Sequence, residues 1–193
     1  ANLYLYMTMQ DEAKFFIERA LTIRPDSEQA FQMMGAYYIN AGDLEQAEEW
    51  LNKAPDYAPA LQLIANIYSE SERYDLAVAA LEKAVSLAPD DAELYYLLGN
   101  ACDDSGCPGA ALGHYQKAVE LDPEHAQAHN SIGLVLMDDE DWDGSIASFR
   151  KALSIDPYYS NAHVNLASAY IEHPDAPVAD AEEEFKLAIR RSE

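Results

Sequence analysis

Residues 92–125 read AELYYLLGNACDDSGCPGAALGHYQKAVELDPEH, and residues 126–159 read AQAHNSIGLVLMDDEDWDGSIASFRKALSIDPYY. Laid one under the other, Gly99 falls over Gly133, Ala111 over Ser145, Tyr115 over Phe149, Ala118 over Ala152 and Pro123 over Pro157. The columns continue in both directions. The alanine recurs as Ala20, Ala54, Ala84, Ala118, Ala152 and Ala188, at steps of 34, 30, 34, 34 and 36 residues. Self-similarity at a period of this size marks a repeat array, in which each unit buries its apolar face on its neighbours.

Within each unit two sets of apolar residues recur. The later set is a small residue seven positions before the alanine (Ala13, Ala47, Ala77, Ala111, Ser145, Ala181) and a large one three before it (Ile17, Leu51, Leu81, Tyr115, Phe149, Phe185). The earlier set runs Phe31-Met34-Gly35-Tyr38, Leu61-Ile64-Ala65-Tyr68, Tyr95-Leu98-Gly99-Cys102, His129-Ile132-Gly133-Leu136 and His163-Leu166-Ala167-Tyr170. Spacings of three and four place each set on one helical face. Small residues at fixed places let two helices approach closely. Pro25, Pro89, Pro123 and Pro157 close the second helix, because proline lacks an N–H and disfavours helical backbone in the residue before it. The pattern predicts helices over 1–7 and 10–23, 28–41 and 44–54, 58–71 and 74–87, 92–104 and 108–121, 126–138 and 142–155, and 160–172 and 180–191.

This arrangement resembles the tetratricopeptide repeat (TPR) over essentially the whole chain. The resemblance implies an all-α, right-handed α-solenoid of antiparallel helical hairpins, five full repeats after a partial first one. The units are 1–27 (partial), 28–57 (shortened), 58–91, 92–125, 126–159 and 160–193, forming one array over 1–193. Pro55 follows Ala54 at once, so the second helix of that unit stops early. The last unit carries an insertion, His173-Pro174-Asp175-Ala176-Pro177-Val178. The cut first unit and the lack of a capping helix suggest an excerpt, a processed product or ends that stack on something else.

Charge narrows the partners. Lys and Arg number 12 against 35 Asp and Glu, a net charge of −23. Arg19, Lys53, Lys83, Lys117 and Lys151 share one column just before the recurring alanine, and none of the helices 28–41, 58–71, 92–104, 126–138 and 160–172 holds a Lys or Arg. In the family these first helices line the binding groove. Nucleic acid and anionic membrane surfaces are therefore poor partners. The charge alternatively serves solubility or a salty habitat.

The family geometry assigns inward positions to Gln32, Ala36 and Ile39, to Gln62, Asn66 and Ser69, to Tyr96, Asn100 and Asp103, to Asn130, Leu134 and Met137, and to Val164, Ser168 and Ile171. The amides suit a peptide backbone, which offers donors and acceptors alike. Tyr96, Leu134, Met137 and Ile171 suit apolar side chains. The Lys/Arg/Asn clamp by which some relatives grip a C-terminal carboxylate has no counterpart, since the basic residues are absent.

Other constellations are weaker. Asp139-Glu140-Asp141-Trp142-Asp143-Gly144 imitates the start of a calcium loop, but Arg150 holds the bidentate position and the repeat register explains the stretch as a turn. Cys102 and Cys107 read as free thiols. His125 and His129 are four apart, yet His129 and His163 occupy a packing column. Tyr4, Tyr38, Tyr68 and Tyr170 share another. No nucleophile motif, phosphate loop or metal-ligand spacing appears, so neither a cofactor nor catalysis is expected.

The reading is a non-catalytic interaction scaffold that takes a neutral or basic peptide. One alternative is end-to-end self-assembly into an oligomer or filament, through Leu3, Leu5, Phe15 and Phe16 at one end and Phe185, Leu187 and Ile189 at the other. Another is the recruiting module of a larger enzyme, as in some glycosyltransferases. Their asparagine ladder is held here by Asn165 alone, with Met33, Leu63, Leu97 and Ser131 in the matching positions.

Overall fold

The computed structural model describes residues 2–174 and 178–191, with side chains from Glu12 onward apart from Pro108, Val178, Asp180, Arg190 and Arg191. The predicted roles of Leu3, Tyr4 and Leu5, and the insertion at Asp175, Ala176 and Pro177, lie outside the described side chains. The described residues form α1 (Asn2–Ile23), α2 (Glu28–Ala41), α3 (Leu44–Leu51), α4 (Ala58–Glu70), α5 (Tyr74–Leu87), α6 (Ala92–Asp104), α7 (Pro108–Leu121), α8 (Ala126–Asp138), α9 (Trp142–Ile155), α10 (Ser160–Glu172) and α11 (Val178–Arg191). The chain divides into two compact units, Ala1–Asp90 and Asp91–Glu193. Within each, consecutive helices pack as hairpins: α2 with α3 and α4 with α5 in the first, α6 with α7, α8 with α9 and α10 with α11 in the second.

The hairpin contacts follow from the two columns. A Cβ built on Gly99 would lie 2.5 Å from Tyr115, and one on Gly133 would lie 2.5 Å from Phe149. Tyr115 and Phe149 are among the most deeply buried side chains, so glycine is what lets each ring slide under the facing backbone. The recurring alanines Ala54, Ala84, Ala118 and Ala152 are fully buried for the same reason.

Turns inside the hairpins also repeat. Gly42, Glu72, Gly106 and Glu140 stand in one column, and all four have positive φ. Two glutamates thus occupy a conformation that favours glycine. Helix starts are capped where the side chain allows. Ser27, Asp43, Asp91 and Asp141 each accept a backbone N–H of the helix they precede. Asp141 bonds Gly144 in this way, which accounts for the calcium-like stretch as an ordinary turn. Among the described residues no group of three or more His, Cys, Asp or Glu could hold a metal ion.

The first unit departs from the prediction. Instead of separate helices over 1–7 and 10–23, α1 runs unbroken from Asn2 to Ile23. Thr8 falls in the column of Gly42, Glu72, Gly106 and Glu140. A β-branched residue is a poor occupant of left-handed backbone, and Met9 follows where the other repeats place an Asp, Arg or Cys. The turn is not made, and the helix continues through it. In the shortened unit α3 ends at Leu51, close to where Pro55 requires.

Candidate functional site

In the Asp91–Glu193 unit the first helices are α6, α8 and α10, whose inward positions were assigned by family geometry. Ala92, Ala126 and Ser160 open them, and large apolar residues at intervals of three and four turn one face of each into the core. Each candidate stands one residue after a member of that apolar set, as Asn130 after His129, Leu134 after Gly133 and Ile171 after Tyr170. Val164 is 41% exposed and Ile171 57%, so both present apolar surface to solvent. Leu134 and Met137 are partly buried against the cluster built from Ile146, Phe149, Leu166 and Tyr170. Their packing thus serves the fold as well as any ligand.

The amides are more occupied than the sequence suggests. Asn130 is buried, and its Oδ1 accepts from Asn165 Nδ2 at 2.9 Å. This bond ties α8 to α10 and uses the side chain that alone held the asparagine-ladder column. Asn100 Oδ1 accepts from the Tyr115 hydroxyl at 2.9 Å, which leaves the Asn100 amide N–H groups as donors. Tyr96 is half-buried, with its ring 6.0 Å from that of Tyr115 and 4.8 Å from that of His125.

Tyr115 and His125 are residues whose part here the sequence did not announce. Tyr115 is the one tyrosine in its packing column, and its hydroxyl emerges between Asn100 of α6 and Ser131 of α8. Burial, with Asp103 adding its charge, pushes the phenol well above the ordinary range. His125 precedes α8 as its N-cap. Its Nδ1 accepts from Ala128 N, so Nε2 carries the proton donated to Glu93 at 3.2 Å. His129 turns instead to the Pro123 carbonyl, and the pair shares no ligand position.

Asp103 sets the electrostatics of this face. Burial, and then the like charges of Asp104 and Asp138, raise its carboxyl above the usual range. The basic residues lie elsewhere, on second helices. Lys117 pairs with Glu120, and Lys151 reaches Glu124 at 3.7 Å; these exposed pairs contribute little to stability.

In the Ala1–Asp90 unit, Gln32, Ile39 and Gln62 are half-buried and Asn66 is exposed. Ile39 packs on the cluster around Ile64. Here too the first helices carry no basic residue: Lys83 of α5 pairs with Asp56 at 2.9 Å, and Lys53, in the turn just after α3, pairs with Glu49 at 3.3 Å. Cys102 is buried, Cys107 is exposed, and neither forms a disulfide.

The tetratricopeptide repeat family matches residues 11–70, 65–106 and 103–160. The chain belongs to this family, a class of protein–protein interaction domain. Among solved structures, MamA is 26% identical with a TM-score of 0.75, covering 82% of this chain and 94% of its own. YrrB, a TPR protein with an unusual peptide-binding site, is 24% identical with a TM-score of 0.73 and 91% of each chain covered. PilF of Pseudomonas aeruginosa shares the fold at 18% identity, with a TM-score of 0.78 over 97% of this chain and 83% of its own. No curated protein matches the sequence.

Proposed function

We propose that the protein is a non-catalytic scaffold that holds a neutral or basic peptide segment of another protein along α6, α8 and α10. The observation that carries this reading is that α6, α8 and α10 contain no Lys or Arg while Asp103, Asp104 and Asp138 carry acidic charge there. A carboxylate crowded by like charges is relieved by a cation. A peptide Lys or Arg at Asp103 supplies that cation, and the contact is sensitive to salt. Val164 and Ile171 offer exposed apolar surface to neighbouring peptide side chains, and the Asn100 amide donates to a peptide carbonyl. The same acidic face repels phosphate, which argues against nucleic acid and anionic lipid as ligands. Among the described residues no helix is long and apolar enough to cross a membrane.

The test uses fluorescence anisotropy with a labelled peptide of alternating Lys and Leu, and a control with Glu in place of Lys. Substituting Tyr96, Asn130 and Met137 would disturb packing, so the informative variants are Asp103→Asn and Ile171→Ser. The Lys peptide is expected to bind, to weaken with added salt, and to lose several-fold in affinity with either substitution. Equal binding of the two peptides, or unchanged affinity in Asp103→Asn, overturns the reading.

A further inference from the structure

The seam between α1 and α2 forms an apolar cavity of about 190 Å³, lined by Ala13, Phe16, Ile17 and Ala20 of α1 and by Ala30 and Met33 of α2. Its walls carry no charged residue. Phe16 is 63% exposed and Met33 49%, and Phe15 meets Phe16 edge-on at 5.7 Å beside the cavity.

The repeat itself identifies what such a seam accommodates. Ala13 and Ala20 are exposed, whereas their counterparts Ala47, Ala54, Ala77, Ala84, Ala111, Ala118, Ser145 and Ala152 are all buried. The counterparts of Phe16 are Trp50, Ala80, His114, Ser148 and Glu184, and each is at least partly covered. The cover is the first helix of the same hairpin. One repeat along, α2 lies against both α3 and α4 in this way. The α1–α2 seam is thus the seat of a first helix.

A sequence suited to that seat lies close by. Tyr4 and Leu5 stand 34 residues before Tyr38 and Ile39, in the first-helix columns. Yet α1 continues straight through Thr8. Residues on one straight helix cannot fold back onto Ala13–Ala20 of the same helix, so only another molecule can bring this segment to the seam. Charge permits that approach. In a chain of net −23 the first acidic residue is Asp11, and the ten positions before it carry no ionisable carboxylate or basic side chain.

We propose that two copies exchange these segments: Asn2–Met7 of each copy lies in the α1–α2 seam of the other. The contact is reciprocal and closes on itself as a two-fold dimer, in contrast to an end-to-end filament. It is independent of the peptide face on α6, α8 and α10.

The experiment is sedimentation velocity over a broad concentration range on the full chain, with helicity followed by circular dichroism. The wild type is expected to be a dimer that dissociates on dilution. Phe16→Glu with Met33→Glu, at two exposed seam positions, should give a folded monomer, and so should Tyr4→Glu with Leu5→Glu. Mixing these two variants should restore a dimer, because one seat and one intact segment remain between them. Thr8→Gly with Met9→Asp supplies the missing turn, lets the segment close on its own seam, and should also yield a monomer. A wild type that stays monomeric at every concentration, a dimer that survives Phe16→Glu with Met33→Glu, or a mixture of the two double variants that stays monomeric overturns the proposal.

Discussion

Ser145 occupies a column otherwise made of alanine: Ala13, Ala47, Ala77, Ala111 and Ala181. Its Oγ is buried with no hydrogen-bond partner among the described residues. A hydroxyl removed from water without a partner costs free energy, and alanine is also the better helix former. Ser145→Ala should therefore stabilise the fold by about 1 kcal/mol, read as a higher denaturant midpoint. A lower midpoint would mean that the hydroxyl is satisfied after all. The column itself was legible in the sequence, since spacing alone reveals it. That the serine pays no compensating bond was not, because the position of Oγ depends on the helix packed over it.

At the scale of elements, the hairpins are joined by specific polar contacts as well as by apolar columns. The hydroxyl of Tyr38 accepts from Lys14 at 3.2 Å, that of Tyr68 donates to Glu48 at 3.1 Å, and that of Tyr170 accepts from Arg150 at 2.6 Å. Tyr38, Tyr68 and Tyr170 are thus each gripped by the helix that precedes their own. The last hairpin has a further tie. His163 is buried on α10, and its Nδ1 meets Glu184 of α11 while Nε2 meets the Pro157 carbonyl. In the second repeat the same place between helices holds the ring pair of Phe31 and Trp50 at 6.1 Å. Removing the carboxylate leaves a buried ring nitrogen without that acceptor, at a cost of roughly 1–3 kcal/mol. Glu184→Ala should accordingly loosen α11 against α10. Hydrogen exchange would show faster amides in α11 with α6 and α7 unchanged, and an even change over all helices would contradict this local role.

For the molecule as a whole, charge and buried phenols act in the same direction at high pH. Burial raises the phenols of Tyr115, Tyr68 and Tyr159 above their ordinary value. A group whose folded value is raised binds its proton more tightly in the native state than in the unfolded one. Its contribution is complete below the unfolded phenol value of about 10 and is lost as pH rises through the higher folded value. Ionisation would also add negative charge to a chain already at −23. Stability should therefore fall in alkali, with urea midpoints declining above about pH 10. Tyr115→Phe, which gives up the bond to Asn100, should start from a lower midpoint and decline less steeply. A decline of equal slope in that variant would assign the effect to other groups.

The sequence by itself determined the repeat, the hairpins and, from Glu28 onward, helix bounds within two residues of those observed, apart from the early end of α3. These are local properties, set by spacings of three and four, by prolines and by small residues where backbones meet. The absence of Lys and Arg from the first helices was equally legible, because charge needs no coordinates. Tertiary structure decided the rest. It alone put Asn130 out of solvent against Asn165, turned Leu134 and Met137 toward the core, and brought Tyr115 through to Asn100, since each depends on a neighbour about 15 to 50 residues away. It also left the α1–α2 seam open among the described residues, where Thr8 in a left-handed column keeps one helix straight.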